Sequence, residues 1–169
     1  MLHSTHTRLY PTHVDPEPFI GVVSDTHGHY DPLLDDLFVG AERIVHAGDI
    51  GSGVLERLSR LAPVTAVLGN TDAREALPGL TLEAEVDALG LHIVVCHIRG
   101  DLLRLRDPAA EGFDVVITGH SHSASVEWRQ ATLHLNPGSA GRSRFGMSRS
   151  AALLTREAGR ARPRIVTLE

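Results

Sequence analysis

Residues 19–80, FIGVVSDTHGHYDPLLDDLFVGAERIVHAGDIGSGVLERLSRLAPVTAVLGNTDAREALPGL, write one pattern three times. A short apolar run (FIGVVSD, RIVHAGD, VTAVLGN) ends in a polar cluster, and a helix-period segment follows each time (THGHYDPLLDDLF, IGSGVLERLSR, TDAREALPGL). Short apolar runs bounded by Gly, Asp and Asn and alternating with helical segments predict parallel strands joined by crossover helices. Open α/β sheets place their ligands at the carboxyl ends of the strands. Asp25, Asp49 and Asn70 are therefore expected to converge along one sheet edge.

Downstream the pattern changes. TLEAEVDAL, LHIVVCH, FDVVITGH, ASVEWRQ, ATLHLNPG, SAALLTR and PRIVTLE are β-rich runs separated by turn signals, with one helix-like stretch, DLLRLRDPAAE. An α/β half joined to a strand-rich half predicts two mixed sheets packed face to face with helices outside, a four-layer αββα sandwich. Upstream, residues 1–18 carry three Pro and three His without any period and read as a mobile tail. His3, His6 and His13 are left out of the site on that ground.

The length, 169 residues, suits one domain over 19–169 with a real hydrophobic core. With 42% hydrophobic and 22% charged residues the chain falls among ordinary globular proteins, which excludes a disordered or fibrous class. A net charge of −5 and a pI near 6.1 leave no basic footprint for a phosphate backbone, so general nucleic-acid binding is not expected. There is no apolar run of membrane-spanning length and no signal-peptide pattern, so a cytoplasmic location is expected. The single cysteine, Cys96, excludes an internal disulfide framework and a multi-cysteine zinc site, and is expected to pack as a small hydrophobe.

Five polar clusters each follow an apolar strand: Asp25-Thr26-His27, Gly48-Asp49, Gly69-Asn70-Thr71-Asp72, His97, and Gly119-His120-Ser121-His122. Singly, each is commonplace; in this order they contain four His, two Asp and one Asn able to ligate a metal. Imidazole, carboxylate and amide oxygen suit Mn, Fe, Co, Ni or Zn, and the absence of thiolate speaks against a soft metal. Seven donors exceed what one ion takes, which points to two ions sharing a carboxylate.

In these residues the chain resembles the calcineurin-like metallophosphoesterases, and more closely their small bacterial and archaeal phosphodiesterases, which share a fold with the retromer subunit of eukaryotes. Ser24-Asp25-Thr26-His27-Gly28, His46-Ala47-Gly48-Asp49, Gly69-Asn70-Thr71-Asp72, Gly119-His120-Ser121-His122 and Asn136-Pro137-Gly138-Ser139 carry the resemblance. It implies one metal held by Asp25, His27, Asp49 and His122, and a second held by Asp49, Asn70, His97 and His120, with Asp49 as the bridge. Mn²⁺ is the first choice, ahead of Ni²⁺, Co²⁺, Fe²⁺ or Zn²⁺. It also implies a small-molecule phosphate ester as substrate and is compatible with a homodimer.

Two departures stand out. The family writes Gly after the lone His, whereas Ile98 follows His97 here, so the backbone must take a different path or accept a side chain. Related phosphatases place a His after the Asn, close to the leaving group; this chain has Thr71. Two ions lower the pKa of a bridging water, orient the phosphate oxygens and stabilise charge during in-line attack, so the nucleophile is expected to be hydroxide rather than a side chain. Asp49, Asn70, His97 and Asp72 form the expected catalytic set, with Asp72 orienting a ligand or holding its loop. Without a histidine acid, esters with acidic leaving groups are favoured, hence a phosphodiesterase. The alternatives are a phosphomonoesterase, a non-catalytic scaffold of the same fold, and a histidine-rich metal-binding module. Because protons compete with metal for imidazole, activity is expected to collapse below about pH 6.5.

Arg142 and Arg144, in the Gly- and Ser-rich run after Asn136, are candidates to grip a substrate phosphate, and His29 is a candidate near the leaving group. His46 lies three residues before Asp49 on its strand and should face away from it as a structural residue. His92 and His134 fall inside strands and read as structural too.

Overall fold

The computed structural model describes residues 17–143 and 146–169. Strands β1 (Ile20–Val23), β2 (Arg43–His46) and β3 (Val64–Ala66) run parallel as neighbours, with α1 (Leu33–Phe38) and α2 (Val54–Leu58) in the connections between them. After β4 (Glu83–Ala88) and β5 (Leu91–Cys96) come α3 (Arg99–Leu105), β6 (Val115–Ile117), β7 (Ser125–Arg129) and β8 (Thr132–Asn136). These strands form a second sheet ordered β4-β5-β6-β8-β7, parallel at its centre and antiparallel at both edges. The final hairpin, β9 (Ser150–Glu157) and β10 (Arg160–Thr167), returns to the first sheet beside β1 and gives the order β10-β9-β1-β2-β3.

Three apolar layers follow from strand alternation. Ile20 and Val22 of β1, Val45 of β2 and Val67 meet Ile93, Val95, Ile117 and Leu135 between the sheets. Val23 and Ile44 point the other way and bury Leu34, Phe38, Val54 and Leu58 of the first two helices. On the outer face of the second sheet, Val94, Cys96 and Val116 pack on Leu102 of α3 and on Phe113. This is the αββα arrangement, with Cys96 buried as a small apolar residue. Among the described residues no helix is long and apolar enough to cross a membrane.

The helices are shorter than the sequence period predicts, and one is missing. TDAREALPGL, expected to be helical, is a series of turns whose bonds, such as Ala76 N–H to Ala73 O and Leu77 N–H to Arg74 O, span three residues. Pro78 has no N–H to extend such a ladder, and Gly79 sits at φ +87°, outside helical space. In THGHYDPLLDDLF only Leu33–Phe38 is helical, because Thr26–Asp31 is spent on the loop after β1. Asp31 begins the helix by accepting the Leu33 N–H on Oδ1 at 2.9 Å. The third helix, expected within DLLRLRDPAAE, starts earlier at Arg99 and stops at Leu105, before the extended Arg106 and Pro108.

Candidate metal centre

The carboxyl ends of β1, β2, β3, β5 and β6 open on one rim where the two sheets meet, and the loops there are zipped together by backbone bonds. Asp25 N–H donates to Gly48 O (3.0 Å), His27 N–H to Asp49 O (2.9 Å) and Gly119 N–H to His97 O (3.0 Å). Of the eight non-glycine residues with positive φ among those described, five are Asp25, His27, Asp49, His120 and His122. An L-residue in that region costs about 1–2 kcal/mol, and such strain persists only where the surroundings enforce it, commonly at functional sites. The left-handed turn at each position swings the side chain off the strand direction and into the rim.

All seven residues expected to ligate metal come together. Asp25 Oδ1 is 3.3 Å from His122 Nε2, and His27 Nε2 is 3.5 Å from His122 Nε2 and 3.7 Å from Asp49 Oδ2. On the other side, Asp49 Oδ2 is 3.4 Å from His97 Nε2, and Asn70 Oδ1 is 3.1 Å from His97 Nε2 and 3.0 Å from His120 Nδ1. Two donors bound to one ion at roughly 2.1 Å lie roughly 3.0–3.4 Å apart, so four of these spacings fit donors gathered around cations, while those of His27, 3.5 and 3.7 Å, are wider. Asp49 Oδ2 belongs to both groups, while its Oδ1 is occupied by the Thr71 N–H at 2.9 Å.

Hydrogen bonding outside the cluster sets the donor atoms. His97 Nδ1 lies 2.7 Å from the Ala47 carbonyl oxygen, which can only accept, so Nδ1 carries the proton and Nε2 keeps its lone pair. Asp25 is fully buried; its Oδ2 accepts from the Ser24 hydroxyl (2.6 Å) and the His120 N–H (3.1 Å), and its Oδ1 has no hydrogen-bond partner. An orphaned carboxylate oxygen buried among imidazole nitrogens suits a cation. Burial pushes the Asp25 carboxyl above its ordinary value, against the opposing pull of the Ser24 bond and of His97 and His122. Burial also opposes ionisation of Asp49, but the Thr71 backbone bond, His97 and His27 outweigh it and hold that carboxyl below the usual range.

Close packing explains the glycines of the motifs. A Cβ on Gly69 would lie 2.1 Å from Asp49 Oδ1, and one on Gly48, which also needs φ +91°, would lie 2.7 Å from His97 Nδ1. The cluster is therefore built by backbone approaching side chains more closely than any other residue allows.

The remaining expectations divide. Asp72 does not enter the cluster; its carboxylate accepts the N–H groups of Ile50 (2.9 Å), Gly51 (3.2 Å) and Gly69 (2.9 Å) and ties the β2 and β3 loops together. His46 is fully buried beneath the loop after β1, with Nε2 2.9 Å from Thr26 Oγ1, whose own proton goes to Ile50 O. Burial depresses its pKa to about 3, so it stays neutral. His92 pairs with Asp87 and stacks on Phe113, and His134 is buried within β8. Arg142 lines a small cleft beside His122, and Arg144 lies outside the described residues. His29 faces Arg149, 3.4 Å away.

Arg149 escaped the sequence reading, and Asn136, quoted within a motif, was given no role of its own. Arg149 lines the cleft with Arg142 and is anchored to the buried Asp31; it follows no motif, and nothing local marks it. Asn136 donates from Nδ2 to Gly119 O (2.7 Å) and to Ser121 Oγ (3.1 Å), holding the loop that carries His120 and His122. Its place in Asn-Pro-Gly-Ser was the available signal.

Residues 19–159 match the calcineurin-like phosphoesterase superfamily domain. A probable metallophosphoesterase of Methanocaldococcus jannaschii is 39% identical over 129 residues, 71% of this chain and 67% of that protein. One from Methanothermobacter thermautotrophicus is 38% identical over 130 residues, 71% of this chain and 76% of that protein. Among solved structures, an archaeal phosphodiesterase superposes with TM-score 0.69 at 24% identity, over 88% of this chain and 99% of that one. Vps29 of Entamoeba histolytica complexed with zinc superposes with TM-score 0.68 at 22% identity, over 89% and 99%. At such identities the two structures speak for the fold alone.

Proposed function

Because the chain belongs to the calcineurin-like phosphoesterase superfamily, we propose that its strand-end cluster holds two divalent ions and hydrolyses phosphodiesters. The observation that carries this reading is that Asp49 Oδ2 stands between two sets of donors, 3.7 Å from His27 Nε2 and 3.4 Å from His97 Nε2, while the buried Asp25 Oδ1 also reaches both His122 Nε2 (3.3 Å) and His97 Nε2 (3.9 Å). Asp25, His27 and His122 complete one group; Asn70, His97 and His120 complete the other. With Oδ1 held by the Thr71 N–H, Asp49 would offer its other oxygen to both ions.

When bound, two such ions supply a hydroxide nucleophile near neutral pH and a positive clamp on the phosphate oxygens. The chain's own residues do the rest. The Ala47 carbonyl fixes the His97 tautomer, and Asn136 and Asp72 keep the ligand loops in register. Arg142 and Arg149, beside His122, offer guanidinium forks to the non-bridging oxygens of a phosphate, Arg149 being oriented by Asp31. Thr71 follows Asn70 where a histidine acid would stand, and its N–H is spent on Asp49. No imidazole there protonates a departing alkoxide, which favours diesters whose leaving group is itself acidic.

The test is metal content and hydrolysis of bis(4-nitrophenyl) phosphate by the wild type and an Asp49→Asn variant, after chelation and after adding Mn²⁺. The reading expects about two ions per chain and turnover restored in the wild type alone. Normal ion binding without cleavage of diester or monoester overturns it in favour of a scaffold; cleavage of 4-nitrophenyl phosphate alone makes the protein a monoesterase.

A further inference from the structure

A cavity of about 260 Å³ opens directly beside the metal centre, sharing Asn70 and His97 as a wall. The rest of its lining is mostly apolar. Leu68 and Leu102 are buried there, Ile98 is half-buried, and Leu82 and Leu105 stand 59% and 85% exposed. Exposed leucines grouped beside a polar site are the surface that a ligand covers. No arginine lines the cavity; its charged members are Glu83, paired with Arg106, and Asp101, paired with Arg104. Such a lining offers a second phosphate no cationic partner and accepts an uncharged group. The opposite flank, at His122, carries Arg142 and Arg149. The centre is thus basic on one side and apolar on the other, which gives a bound diester a direction.

We propose that this cavity seats one ester group of the substrate, an uncharged flat group of aromatic or nucleobase type. The proposal rests on the phosphodiesterase reading and adds its substrate class. The volume falls below the roughly 300–1,000 Å³ of pockets for drug-sized ligands, which fits a ring system rather than a chain of sugars or a peptide. Ile98, the residue directly after His97, contributes to the wall.

The test has two arms. In the first, methyl NMR of the metal-free protein is followed during millimolar titration with adenosine and, separately, with phenol. Shifts confined to Leu82, Ile98, Leu102 and Leu105 are expected, and the tighter probe distinguishes nucleobase from simple aryl. In the second, the double variant Leu82→Asp/Leu105→Asp, whose sites are exposed and safe for folding, is assayed on bis(4-nitrophenyl) phosphate. KM should rise about tenfold with kcat little changed, the signature of lost binding shared by ground and transition states. Silent methyls with an unaltered KM overturn the subsite while leaving phosphodiesterase activity intact. Methyl shifts in a protein that hydrolyses no diester uphold the subsite and overturn the activity. Leucine signals that respond to protein concentration and to neither probe assign the surface to a second copy of the chain and overturn the proposal.

Discussion

His97 Nδ1 and the Ala47 carbonyl oxygen lie 2.7 Å apart, and this one bond decides which nitrogen the ring presents to the centre. It forms because β2 and β5, in different sheets, end at the same rim, so that the backbone after one strand meets a side chain after the other. Gly48, the next residue, leaves the ring its space: a Cβ there would stand 2.7 Å from Nδ1 and 2.9 Å from Gly69 Cα.

Gly48→Ala is accordingly expected to cost more than about 1 kcal/mol of stability, since its φ of +91° strains any L-residue. It should also displace His97 and lower the metal occupancy of the centre. Thermal unfolding beside metal titration of the variant checks both; wild-type occupancy would refute the close-packing account.

Asp72→Asn replaces one carboxylate oxygen with a donor and sets it against the N–H groups of Ile50, Gly51 and Gly69. Hydrogen bonds to charged groups contribute about 1.5–3 kcal/mol, and a loss in that range is expected by chemical denaturation. Metal affinity should fall about 10–100-fold although Asp72 touches no ion, as for other residues that support metal ligands.

Arg149→Ala is expected to raise KM for a phosphodiester several-fold and to lower kcat less, since on the proposed reading the guanidinium beside His122 binds the phosphate in ground and transition states alike. Arg142→Ala should act in the same direction more weakly, its side chain being exposed and, among the described residues, without an anchor like Asp31. Steady-state kinetics of both variants decide, and unchanged KM in both removes the arginine wall from substrate binding.

Stability should depend on pH through His46. Its pKa is about 3 when folded and 6.5 unfolded, so between these values the unfolded chain binds one more proton. The contribution is intact above about pH 6.5 and is lost as pH falls, at up to about 1.4 kcal/mol per pH unit. Burial lowers the His134 pKa also, with the same sign. Urea denaturation with chelator present, from pH 7.5 down to 5, should show a shallower slope for His46→Gln than for the wild type; equal slopes would mean that His46 takes up its proton without unfolding.

Much of this was legible beforehand because the metal donors follow strands. Where Asp25, Asp49, Asn70, His97 and His120 each come just after an apolar run, strand ends and site are the same signal. The helix expected over TDAREALPGL did not form because, although Ala73–Leu77 has helical period, Pro78 and Gly79 act on the backbone and leave that period untouched. Arg149 gave no sign, since its role depends on Asp31, 118 residues earlier in the chain.

Local periodicity and the residue types beside strand ends were enough to read the αββα layers and to name the candidate donors. The atoms that face one another came from the packing instead: Asp49 Oδ2 between His27 and His97 with Oδ1 turned away to Thr71, and Asp25 Oδ1 between His122 and His97. That packing alone set arginines on one flank of the centre and leucines on the other. The reason is distance along the chain: which atom of a side chain faces which neighbour depends on the packing of two sheets whose meeting no local pattern encodes.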